Sequence, residues 1–143
     1  MARLNKALLR RLARKLRRLR HEEHYDQRHW AASNACGTAA CIAGHALIEC
    51  GWKPRLYFDT WERKTIAMEF VKDGKEADAE VQAEKLLGLP ENSGLFHPNG
   101  SEWPDEFRER FQEAIPDGPA KQRPSRVAAD LLDALADGKV EPF

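Results

Sequence analysis

The 143-residue chain contains no apolar run approaching the roughly 20 residues that span a bilayer, so no transmembrane helix is expected. It has three cysteines, Cys36, Cys41 and Cys50. That is too few, and an odd number, for a secreted disulfide scaffold, and a reducing compartment is the simpler expectation. The N-terminus is basic, but arginines interrupt its leucines, so it lacks the apolar core of a signal peptide. Residues 1–20 contain no serine, unlike mitochondrial transit peptides. These absences point to a cytoplasmic protein. Gly37, Gly44 and Gly51 recur, but without a preceding strand or a Walker-type lysine to make a phosphate loop. No zinc-finger, RNA-recognition or helix-turn-helix signature is present, and no internal repeat.

Net charge is also lacking, but the zero total conceals an asymmetry. Residues 1–30 carry ten Lys and Arg against three acids, a local charge of +7, and residues 31–143 carry −7. The chain reads as one domain: a basic N-terminal helix and loop over 1–30, joined to an acidic helical body over 31–143. A chain of this length buries enough surface to fold without staples.

Leu4, Leu8, Leu12, Leu16 and Leu19 repeat with the helical period, and strong helix formers fill the positions between them. The spacing predicts an amphipathic helix over 3–20 with arginines around the rest of its circumference. Residues 21–35 break the pattern, with Tyr25 and Trp30 as core anchors. A second helix is predicted over 39–50, capped by Asn34 or Thr38 and stopped at Gly51. Its small residues suit a central, buried position. Alternation around Ile66, Met68 and Phe70 predicts one short β-hairpin over 55–58 and 65–71, with a helix through 62–72 as the alternative. Further helices are predicted over 76–87, after Pro104, and after a Ser125 cap to Gly138. Leu95, Phe96 and Trp103 anchor the loop before Pro104. The expected fold is mainly α, a single compact domain of about five helices, with or without that one short hairpin.

The segment from Cys36 to Ala46 reads CGTAACIAGHA. It resembles a group of small bacterial and bacteriophage proteins that share a CGTxxCxAGxA segment. In that group a Leu/Arg helix and an aromatic-Asp…Trp segment come first, matched here by 4–20 and Tyr25-Asp26…Trp30. Counterparts of its later segments are Ala83…Leu86-Leu87-Gly88-Leu89, Leu95-Phe96…Trp103-Pro104 and a helix over 126–138. The resemblance implies a fold family and a bacterial or phage origin. No activity is attached to the group, so it carries no catalytic residue across. A phage origin implies an accessory protein, one version being an inhibitor of a bacterial nucleic-acid-targeting defence complex.

Four constellations could carry chemistry. Cys41 and His45 stand at i, i+4 with Cys36 just upstream, and thiolate and imidazole are zinc ligands. His21, His24 and His29 add to the supply, although no C-x-x-C pair is present. The competing reading makes Cys41 a small core residue and His45 a packing residue. Cys36 near a helix N-terminus, with His29 or His45 as base, would form a thiol nucleophile. Glu22/Glu23 and Glu106/Glu109/Glu113 are carboxylate groups that more often form solvated helix faces, and Glu106 with Arg110 has ion-pair spacing. Lastly, Arg10, Arg14, Arg17 and Arg18 project from one rigid helix and would contact nucleic acid or an acidic protein surface. The competing reading pairs that helix with acidic segments 76–91 or 104–117 of the same chain. A non-enzymatic binding module using the basic helix is the leading expectation. A metal- or thiol-dependent enzyme at Cys36, Cys41 and His45 is the alternative, and a structural protein that buries the leucine stripe between subunits is a third.

Overall fold

The computed structural model describes residues 3–19, 31–34, 37–39, 41–61, 64–97, 100–115, 118–119 and 122–143. Five helices carry the core: α1 (Lys6–Arg17), α2 (Ile42–Glu49), α3 (Ala79–Leu87), α4 (Asp105–Gln112) and α5 (Pro124–Ala136). Five short strands, β1 (Ala31–Asn34), β2 (Gly37–Ala39), β3 (Lys53–Asp59), β4 (Lys64–Lys72) and β5 (Lys75–Asp78), form one antiparallel sheet. β4 is its axis. β3 pairs along one side of it, and β1 and β5 share the other, with β2 outside β1. The β3–β4 hairpin is the one the alternation predicts, with Tyr57 opposite Ile66 and Pro54 opposite Phe70.

α1 forms where the leucine period requires it. Leu8, Leu9, Leu12, Ala13 and Leu16 are buried, and Leu4 and Leu19 pack against the core edge. The stripe seats on α5, whose Val127, Ala128, Leu131, Leu132 and Leu135 supply the facing apolar surface. Asn5 caps α1 by accepting from Leu8 N, and its own backbone N donates to Leu87 O at 2.7 Å. Asn5 Nδ2 also donates to Leu86 O at 3.1 Å, so one residue joins the start of α1 to the end of α3. α2 is the central helix: Ile42 through Leu47 are all buried, which its small residues permit. Leu95, Phe96 and Trp103 anchor their loop as expected. The Trp103 ring donates to Leu95 O at 3.0 Å and meets Phe111 edge-on at 4.8 Å.

Several boundaries differ from expectation. Asn34 and Thr38 lie in β1 and β2 rather than at a helix cap. The N-cap of α2 is Cys41, with no side-chain cap hydrogen bond. The segment expected to begin a helix at 76 first adds β5 to the sheet, and α3 starts after Asp78, whose side chain accepts from Val81 N. Arg123, not Ser125, is the N-cap of α5, with Pro124 in its first turn. Tyr25 and Trp30 lie outside the described residues.

The basic helix does pair with its own chain, but through different partners from those expected. Arg17 reaches both Asp130, at 2.7 Å, and Asp133 on α5. Arg10 pairs with Asp137 at 2.7 Å, and Arg11 and Lys15 approach Glu49 of α2. Arg110 of α4 goes to Asp130 at 2.6 Å rather than to Glu106. Asp130 thus stands between two guanidinium groups. Desolvation raises its carboxyl pKa, but the hydrogen bonds from Arg110 and Arg17 overcome that and hold it below the ordinary aspartate value. A depressed acid stabilises the fold above its unfolded pKa and loses that contribution as pH falls through its folded one. Asp130→Asn therefore costs about 1 kcal/mol at neutral pH, modest because the side chain is one-third exposed. In urea titrations the gap between variant and parent closes below about pH 4.

One carboxylate runs the other way. Glu84 is 6% exposed and accepts from Ser93 N at 2.9 Å. Burial pushes its pKa up, against the lowering effect of the Ser93 backbone. It braces the loop that carries Leu95 and Phe96 into the core.

Candidate functional site

The four arginines singled out on α1 divide into two pairs. Arg10 and Arg17 are committed to carboxylates of α5. Desolvation works against the Arg17 charge, yet the hydrogen bonds it donates to Asp130 and Asp133 leave its pKa raised, so it stays a fixed cation within the fold. Arg14 and Arg18 are exposed, and among the described residues neither has an ion pair. They lie a helical turn apart (i, i+4), which places them on one face.

That face borders a surface recess of about 520 Å³ lined by Arg11, Arg14, Lys15, Arg18, Leu19 and Glu49. Four cations surround one carboxylate there. Lys15 and Leu19 also line a second recess of about 490 Å³, completed by His45, Ile48, Gly51, Trp52, Lys53 and Pro54. The two recesses therefore meet at Lys15. Burial pushes the Lys15 ammonium below the usual lysine value, against the upward pull of Glu49. Its side chain is 28% exposed and lies 3.8 Å from Glu49, which it shares with Arg11, so the two cations at this edge have one carboxylate between them.

The remaining candidates are placed as follows. Cys41 and His45 share one turn of α2, with His45 N donating to Cys41 O at 2.9 Å, and both side chains are buried. Cys41 packs among the core residues. Cys36, His21, His24, His29, Glu22 and Glu23 lie outside the described residues. Among the described residues no group of three or more His, Cys, Asp or Glu side chains could hold a metal ion. Glu106, Glu109 and Glu113 are exposed on and just beyond α4. No described helix is long and apolar enough to cross a membrane.

Trp52, Lys53 and Pro54 are the contribution that sequence reasoning missed. They follow the Gly51 helix stop in a stretch with no clear periodicity, and their place beside α1 depends on the sheet. The usable signal was an aromatic next to a lysine directly after a helix end. Comparison with protein-family models, curated proteins and solved structures finds no match for this chain.

Proposed function

We propose that the protein is a non-enzymatic nucleic-acid-binding module whose phosphate contacts come from Arg14 and Arg18, with Arg11 and Lys15 beside them. The observation that carries this reading is the division of the helix. The α5 carboxylates neutralise Arg10 and Arg17, whereas Arg14 and Arg18 are exposed without an ion pair among the described residues. The unbalanced charge is concentrated on a rigid helix, where guanidinium groups hold phosphate oxygens without further ordering of the backbone. A tryptophan and a further lysine at the adjoining recess favour nucleic acid over an acidic protein, because aromatic and cationic groups together suit bases on a phosphate chain.

Such a face binds by releasing counterions, so its affinity is salt-dependent. With three or four phosphates neutralised, log K falls against log salt with a slope of about −2 to −3 for single strands. Titration of the purified protein into short labelled oligonucleotides then shows affinity falling about 20- to 50-fold between about 50 and about 200 mM salt. Absence of binding to any DNA or RNA at low salt would reject this reading and leave an acidic protein surface as the partner to test.

A further inference from the structure

The second recess has a lining that phosphate contact alone does not require. Its corner is fixed: α2 stops at Gly51, Trp52 N donates to Leu47 O at 2.9 Å, and Lys72 Nζ donates to Cys50 O at 2.7 Å. The Trp52 side chain packs in part on Leu47, Phe70 and Ala79, so a rigid backing holds it at the recess. Leu19, Ile48 and Pro54 add apolar wall, and His45, at 4% exposed, is the most enclosed of the lining residues. Lys15 and Lys53 stand among these groups. An apolar wall alone would accept any hydrophobic group, but two ammonium groups within it disfavour a neutral aliphatic one. Cationic and aromatic lining together match a flat, polar-edged ring attached to an anionic chain. The volume of about 490 Å³ lies within the usual range for small-ligand sites.

We propose that this recess receives an unpaired nucleobase, stacked against Trp52, while the flanking phosphates lie on Lys15, Arg14 and Arg18. The proposal rests on the phosphate-binding reading above and adds that the protein selects single-stranded or locally unpaired nucleic acid. In a continuous duplex the base faces are stacked on one another, and entry would require extruding a base.

The test uses short single strands carrying one fluorescent aminopurine, the same strand in duplex, and Trp52→Ala and Trp52→Phe chains. The native chain binds the single strand at least about tenfold more tightly than the duplex and quenches the aminopurine, as base–aromatic stacking does. Trp52→Ala lowers single-strand affinity about tenfold or more and abolishes the preference, and Trp52→Phe, which retains a ring, stays within about threefold of the parent. Because Trp52 also supports packing, thermal melting of each variant accompanies the titrations. The wild-type comparison of single strand with duplex needs no variant at all. Equal affinity for both forms with unchanged aminopurine emission overturns the base recess and leaves the phosphate face standing. No binding to either form overturns both.

Discussion

Replacement of Gly88 by alanine destabilises the protein by about 3 kcal/mol, more than its single added methyl suggests. Gly88 ends α3 with φ of +74°, a left-handed conformation that costs a side-chain-bearing residue about 1 kcal/mol or more. The larger effect is steric. A Cβ at this position would lie 2.0 Å from the Arg3 carbonyl oxygen and 2.9 Å from Leu4 Cα. Both are backbone atoms, and the segment they belong to is tied to Leu86 and Leu87 through Asn5. It can move away only by breaking those hydrogen bonds and lifting the N-terminal end of α1 off α3. Gly138, just beyond α5, supplies the control. Its φ is +76°, but an added Cβ meets nothing within 4 Å, so Gly138→Ala carries the conformational cost alone, about 1 kcal/mol. Chemical denaturation of the two variants in parallel separates strain from clash. Equal losses at both positions would show that the α1–α3 junction is not close-packed.

Arg14→Ala combined with Arg18→Ala lowers oligonucleotide affinity about 10- to 100-fold and makes the salt slope shallower by about 1.4, the share of two phosphate contacts on a single strand. Stability changes little, since neither side chain has an ion pair among the described residues. The other two arginines show the opposite pattern. Arg17→Ala leaves Asp130 and Asp133 facing each other with one counter-charge fewer and costs about 1–2 kcal/mol of folding stability, with little loss of affinity. Arg10→Ala is close to neutral in both assays, because its pair with Asp137 is exposed on both sides. Four arginines on one short helix thus separate into two functional classes. Salt-dependent titration and urea denaturation of the same four variants reveal the division. If all four reduce affinity alike, phosphate binding is not localised to the Arg14/Arg18 face.

Much of this arrangement is legible in the sequence where the information is local. The period of Leu8, Leu12 and Leu16 specifies α1 and its buried side, and the run of small residues around Gly44 specifies a helix that others can approach closely. The β3–β4 hairpin follows from alternation near Phe70. β1 and β2 do not follow, because Ala-Ala-Ser-Asn and Gly-Thr-Ala carry little strand propensity. Those segments become strands by pairing, and Ala32 has its partner at Ile66, far along the chain. β5 is likewise polar, and its strand state comes from the tight turn at Asp73-Gly74 that returns it against β4. The site shows the same limit. A basic face on α1 can be read directly, but which arginines remain available depends on carboxylates 113 to 127 residues away. Sequence spacing cannot make that assignment, since acids elsewhere in the chain were equally plausible partners.

The seating of α1 on α5 also governs how the protein is made. On the ribosome α1 emerges well before the helix that covers its leucines. Until Leu131, Leu132 and Leu135 have left the exit tunnel, Leu8, Leu12 and Leu16 lack their main partner. The nascent chain meanwhile displays a hydrophobic stripe flanked by arginines, the kind of surface that holding chaperones and stray polyanions bind. Seating of α1 therefore waits until α5 has been made. A chain halted before Pro124 would be a sticky, cationic fragment rather than a smaller version of the protein.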